Sequence, residues 1–322
     1  MLYKFLHFPA KLALLIWCKY LRINNKEILK ANGPLLIAAN HPNSFLDAIL
    51  LCTIFKQPIY SLARGDAFKN NFVAKILRSL KMFPVYRVSE GVENLEENYS
   101  TFNDCINIFK QNGIVLIFSE GKCINEWHLR ALKKGTARLA MNAWEQNIPL
   151  QIIPLGINYH SFSDFGKIIN LNFGNIISIK DNDIAVDNSF GTTVKTFNNL
   201  LKHELEQLVY EIPKANKIEI ESKFLLKKNS LLRILFFIPA MVGFIINAPL
   251  YAPIKHFAKK RFSKIDHYDS VVVGLLFLLY PFYLLLISTV IYLFIQSAWA
   301  ILIFFIAPIC AYCFVHFKKS LY

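Results

Sequence analysis

The stretch Leu35-Leu36-Ile37-Ala38-Ala39-Asn40-His41-Pro42-Asn43-Ser44-Phe45-Leu46-Asp47 decides the fold. An apolar run of strand length stops at Asn40-His41, a short polar turn follows, and Ala48-Ile49-Leu50-Leu51 resumes with helical character. A strand that ends in a polar turn and restarts as a helix places that turn at the carboxyl edge of an α/β sheet, where such proteins keep their chemistry. Pro42 biases His41 toward an extended backbone and holds it out of the helix. Asp47 falls in the first helical turn, within reach of the imidazole. A His oriented by a carboxylate is a general base able to take a proton from a hydroxyl. Ser44 and Asp47 equally fit a capping box, in which the acid only satisfies a free amide at the helix start.

Outward from this turn, residues 30–212 alternate between strand and helix patterns, the signature of an α/β domain with a mostly parallel sheet flanked by helices. The predicted strands are Leu35–Ala39, Ile59–Leu62, Phe83–Tyr86, Ile114–Phe118, Leu150–Ile157 and Ile168–Phe173. The predicted helices are Ser44–Phe55, Ala67–Leu80, Glu93–Gln111, Lys133–Gln146 and Phe190–Ile212, with Asn112-Gly113 and Asn188-Ser189 as punctuation.

Both flanks point to lipid. Hydrophobic residues make up 54% of the 322-residue chain, 28 of them Phe, and mean hydropathy is +0.36. A net charge of +14 admits nucleic acid as a partner, but a chain both basic and apolar suits an anionic membrane surface instead. Residues 1–24 read as an amphipathic helix at the membrane interface: at ~100° per residue Lys4, Lys11, Lys19 and Arg22 gather within about 80° of one another. A short spanning helix is the competing reading. The six cysteines show no metal-finger spacing, and unpaired thiols in a reducing compartment are expected.

Residues 230–322 form a membrane-associated region. Val271–Ile295 and Ala298–Phe317 are long enough to cross a hydrocarbon core of ~30 Å, and their close spacing over residues 271–317 predicts a transmembrane hairpin. Residues 231–253 are apolar but interrupted by Pro239, Asn247, Pro249 and Pro253. Lys223, Lys227, Lys228 and Arg233 precede them, and Lys255, Lys259, Lys260, Arg261 and Lys264 follow. Basic residues on both sides predict a re-entrant segment with both flanks, and Lys318-Lys319, in the cytoplasm. Two crossings result, with three as the alternative.

Four blocks now carry a resemblance. Asn40-His41 with Asp47 resembles the first block of the glycerophospholipid acyltransferase superfamily, the lysophosphatidate and glycerol-phosphate acyltransferases. In most of that family the spacer between His and Asp is one residue shorter than Pro42–Leu46, and the longer spacer resembles the glycerol 3-phosphate or dihydroxyacetone phosphate branch. Met82-Phe83-Pro84-Val85-Tyr86-Arg87 resembles the family's strand ending in a phosphate-binding arginine, whose guanidinium offers paired donors to phosphate oxygens. Ile117-Phe118-Ser119-Glu120-Gly121-Lys122 resembles the Phe-Pro-Glu-Gly-Thr block, with Ser119 and Lys122 replacing the usual Pro and Thr. Ile152-Ile153-Pro154-Leu155-Gly156 resembles the apolar strand said to wall the acyl chain.

The resemblance implies an acyltransferase-like fold and an O-acyltransferase of phospholipid synthesis. In it His41 and Asp47 are catalytic, and Arg87, Glu120, Gly121 and Lys122 bind substrate. The implied donor is acyl-CoA or acyl-ACP (acyl carrier protein), acting as co-substrate with neither cofactor nor metal. The implied acceptor is glycerol 3-phosphate or its 1-acyl derivative, with an amino-acid-derived lipid as the alternative. The implied place is the cytoplasmic face of a membrane, with the bilayer as partner and no nucleic acid. Two rivals remain at this point: a metal-dependent hydrolase using His41, Asp47 and Glu120 with His128 or His160, and a non-catalytic membrane scaffold.

Overall fold

The computed structural model describes residues 1–86, 97–179, 190–225, 230–262 and 265–317. The chain opens with α1 (Leu2–Trp17) and β1 (Cys18–Ile23). It continues through β2 (Leu35–Ala39), α2 (Phe45–Ile54), β3 (Ile59–Arg64), α3 (Asn71–Ser79), β4 (Met82–Val85), α4 (Glu97–Lys110) and β5 (Ile114–Phe118). Then come α5 (Gly135–Glu145), β6 (Gln151–Tyr159), β7 (Lys167–Phe173), α6 (Phe190–Leu208) and α7 (Lys217–Phe224). The apolar helices α8 (Ser230–Phe262), α9 (Tyr268–Ile295) and α10 (Ile303–Phe317) follow.

The strands form one sheet in the order β1-β7-β6-β2-β5-β3-β4. β2 pairs in parallel with β5 and β6, and β3 with β4 and β5. The carboxyl ends of these five strands therefore share one edge. Ala39 lies opposite Phe118 on one side and Leu155 on the other, so His41 and Glu120 leave adjacent strands at the same height.

The connections β2-α2-β3 and β3-α3-β4 both advance in one direction across the sheet, and α4 and α5 return in the other. Right-handed crossovers then put α2 and α3 on one face and α4 and α5 on the opposite one. The second face is the larger core: Leu36, Ala38, Val115, Ile117 and Ile152 pack with Phe109, Leu139, Trp144, Phe197 and Leu201 from α4, α5 and α6. Each such fully buried aliphatic side chain contributes roughly 1.5–3 kcal/mol. A Cβ on Gly156 would lie 2.3 Å from the Leu208 carbonyl oxygen, so only glycine lets the end of α6 approach β6 this closely.

By compactness the chain divides into two units, Met1–Phe8 with Arg22–Asn158 and Asn170–Lys214, and Pro9–Leu21 with Tyr159–Ile169 and Ala215–Tyr322. Neither is continuous in sequence. Within the second, Lys167 and Asp269 form a fully buried ion pair at 2.6 Å, and the Trp17 indole N–H donates to the same carboxylate oxygen at 3.3 Å. Leaving either charge there without the other would cost several kcal/mol, so these three sequence-distant residues fix one another.

Two expectations about the flanks are corrected. The N-terminal helix stops at Trp17 rather than continuing to residue 24, because Cys18–Ile23 is drawn into the sheet as an edge strand. Residues 231–253 are not broken at their prolines: they lie inside α8, one 33-residue helix with Pro239, Pro249 and Pro253 within it. Each proline removes one main-chain hydrogen bond, whereas unwinding an apolar segment would strand many polar backbone groups at once. Tyr280 of α9 donates its hydroxyl to the Asn247 side chain of α8 at 2.8 Å. Among the described residues three segments, Leu231–Phe262, Tyr268–Ile295 and Ala298–Phe317, are thus long and apolar enough to cross a membrane by length and composition, where the sequence favoured two. Lys227, Lys228, Lys264, Lys318 and Lys319 lie outside the described residues.

Candidate active site

The site begins with how β2 ends. Asn40 extends the strand by its side chain: the amide donates to the Ile157 carbonyl at 3.1 Å and accepts from the Ile157 N–H at 2.7 Å. This side-chain rung pins the carboxyl end of β2 to β6 and fixes where His41 starts. The His41 imidazole stacks on Phe118, with centroids 3.8 Å apart and planes within 12°.

Its Nδ1 lies 2.9 Å from Asp47 Oδ2, with the His side chain 17% exposed and the Asp side chain fully buried. The same oxygen accepts from the Asn43 N–H at 2.9 Å. A carboxylate oxygen that accepts from a backbone amide also accepts from the ring, so Nδ1 carries the proton and Nε2 presents its lone pair. The Ser44 half of the capping box does not form, while Asp47 does satisfy the Asn43 N–H ahead of the helix. Ser44, at φ 54°, makes no side-chain capping bond, and its N–H donates to Cys123 Sγ at 2.9 Å.

Glu120 serves the backbone. Its Oε2 accepts from the His41 N–H at 2.8 Å and its Oε1 from the Arg130 N–H at 2.9 Å. Burial pushes its carboxyl up from the ordinary range, against those two N–H groups, which pull it down. A carboxylate with both oxygens engaged inward ties the turn after β2 to the loop after β5. The sequence marks Glu120 as a substrate-binding residue; the structure places its carboxylate between the His41 and Arg130 backbones. Gly121 follows at φ +66°, the left-handed region that glycine enters without strain, and a Cβ there would meet Lys133 at 3.0 Å. Lys122 stands exposed at the tip of this turn.

The loop beyond is fastened by the Ile124 N–H to the His41 carbonyl at 3.2 Å and the Asn125 amide to the Pro42 carbonyl at 2.7 Å. Arg87 lies outside the described residues. The residue before it is held in place: the Asn98 side chain accepts from the Tyr86 N–H at 2.8 Å and donates to the Tyr86 carbonyl at 2.9 Å.

The ligand set suggested for a hydrolase does not converge. Among the described residues no three His, Cys, Asp or Glu side chains gather as metal ligands, and His128 pairs instead with Glu211 at 2.5 Å. Sequence reasoning missed Asn40 as a clamp, Phe118 as the surface under the imidazole and Cys123 as an acceptor. Only the first had a local signal, an amide placed directly after an apolar strand.

A β2–turn–α2 unit presenting a carboxylate-held imidazole, braced from the Glu-Gly turn after β5, sits inside residues 20–158, which match the family model described as Acyltransferase. This stretch is therefore similar to that family's domain. Over 120 residues the chain is 28% identical to the 1-acyl-sn-glycerol-3-phosphate acyltransferase of Bacillus subtilis (strain 168), covering 37% of this chain and 55% of that protein. The chain thus spans about half the length of the curated relative it matches. It is also similar to the crystal structure of the 1-acyl-sn-glycerophosphate (LPA) acyltransferase from Thermotoga maritima, at TM-score 0.46 and 14% identity, over 70% of this chain and 81% of that one.

Proposed function

We propose that this protein is a membrane-bound O-acyltransferase of phospholipid synthesis, moving a fatty acyl group from acyl-CoA or acyl-ACP to a hydroxyl of glycerol 3-phosphate or 1-acylglycerol 3-phosphate. The observation that carries the reading is the His41–Asp47 pair at 2.9 Å, which fixes one tautomer of an imidazole whose side chain is 17% exposed. His41 Nε2 takes the acceptor's hydroxyl proton as that oxygen attacks the thioester carbonyl carbon. The C–S bond then breaks, and the departing sulfur takes the proton back from the imidazolium. Asp47 holds the ring and offsets the positive charge while it exists.

Positioning is the other half of catalysis. Arg87, with Gly121 and Lys122, receives the acceptor's phosphate, and Glu120 acts through the backbone of His41. Ile153 and Leu155, on the face of β6 opposite Gly156, are the residues of the fourth block left to line an acyl chain. The three apolar helices hold the chain to a bilayer, with the catalytic domain on the cytoplasmic face where the donor is made.

The test is an assay of purified membranes with labelled palmitoyl thioester against glycerol 3-phosphate, 1-acylglycerol 3-phosphate and unphosphorylated analogues. Transfer to a phosphorylated acceptor, lost in His41→Ala, is expected. Transfer that persists in His41→Ala would refute the assignment.

A further inference from the structure

The face of the sheet carrying α2 and α3 differs from the other in what it leaves uncovered. α3 has no fully buried residue, and Phe72, in its first turn, is 74% exposed beside the exposed Val73. Phe45 and Ile49 of α2 are likewise about two-fifths exposed, at 39% and 40%. Topology groups these residues. α2 and α3 both start at the carboxyl edge of the sheet and lie on the same face, so Phe45 and Phe72 flank the edge that bears His41.

The charges beside them are of one sign. Lys69, Lys75 and Arg78 are all exposed, and no acid occurs between Ala67 and Tyr86. The nearest, Asp66, is engaged by Arg64. Aromatic and aliphatic tips set among cations, on a short helix with no fully buried residue, suit the boundary between anionic headgroups and acyl chains. A protein partner of comparable apolarity would not call for three cations without a balancing acid.

We infer that the α2–α3 rim docks on the surface of an anionic phospholipid bilayer, seating Phe72 and Val73 among the lipids so that a membrane-resident acceptor reaches His41 without entering water. The inference rests on the acyl-transfer reading and adds to it a second membrane contact, within the catalytic unit. It also predicts a split by substrate: the rim serves an acceptor embedded in the bilayer and is irrelevant to one that arrives dissolved.

The experiment uses the full chain in vesicles of phosphatidylcholine with and without phosphatidylglycerol. Phe72→Asp combined with Val73→Asp should lower transfer to a long-chain lysophosphatidate by ~10-fold or more, the cost of denying two apolar side chains their burial. Transfer to a short-chain, water-soluble acceptor should stay within about 2-fold, because His41 and its turn are untouched. Lys69→Gln with Lys75→Gln should remove the preference for phosphatidylglycerol. Equal losses on both acceptors, or none on either, would overturn the inference. Independently of turnover, Phe72→Trp in vesicles of brominated lipid should show quenching beyond that of the parent chain's own tryptophans. Absence of that extra quenching would overturn docking even in an active enzyme. An inactive parent with strong quenching would sink the acyl-transfer reading while leaving the docking surface in place. A dimer that Phe72→Asp dissociates, without quenching of Phe72→Trp, would assign the rim to a second copy of the chain instead.

Discussion

Replacing Asp47 by Asn separates an orienting carboxylate from a structural one. The side chain is fully buried, with Oδ2 2.9 Å from both His41 Nδ1 and the Asn43 N–H. Asparagine is nearly isosteric, so the fold survives with the Asn43 contact kept through the amide oxygen. What disappears is the negative charge facing an imidazolium that exists only while a proton is in transit. For charges ~4 Å apart at an effective dielectric of ~20 that interaction is about 4 kcal/mol, or on the order of 10³ in rate. Asparagine also allows a flipped amide that donates to Nδ1, which would move the ring proton to Nε2 and add to the loss. The assay is steady-state transfer from a labelled thioester, with thermal unfolding followed in parallel. kcat should fall ~10²- to 10⁴-fold, with the acceptor's KM within about 3-fold. A kcat close to the parent's, together with a marked fall in melting temperature, would show that the carboxylate is only a cap for α2.

Glu120→Ala should be a stability variant first, losing ~2–5 kcal/mol in denaturant melts, because the half-buried His41 and Arg130 N–H groups lose their acceptor together. Arg87→Ala should raise KM for a phosphorylated acceptor by roughly 10- to 100-fold, as expected for loss of a charge-assisted contact worth ~1.5–3 kcal/mol, and leave an unphosphorylated one nearly unaffected in the same assay. His160, held below its ordinary pKa of 6.5 by burial and by Lys167 against the pull of Asp164 and Glu221, stays neutral in the folded chain while the unfolded chain takes up a proton. Its contribution to stability is therefore present above pH 6.5 and falls as the pH drops through that value toward the folded pKa. Melting temperature of the parent should decline over that window more steeply than that of His160→Gln.

The sequence alone determined the parts of this protein whose cause is local. β2 and β5 begin and end where their apolar runs begin and end, at Leu35–Ala39 and Ile114–Phe118, because a strand buried on both faces tolerates no polar interruption. The His41–Asp47 pairing was legible for the same reason: both residues belong to one strand–turn–helix, and a few bonds of backbone bring them together. Tertiary structure decided what depends on partners distant in the chain. Cys18–Ile23 mixes apolar and basic residues and reads as helix by pattern, yet it is a strand because the sheet edge at β7 supplies its hydrogen bonds. The prolines of α8 read as breaks, and the surrounding helices and the apolar setting keep the helix whole. Glu120 looked like a ligand for substrate. Only the fold, which delivers His41 from 79 residues away and Arg130 from across a loop, turns both its oxygens to backbone amides and ties the turn after β2 to the loop after β5.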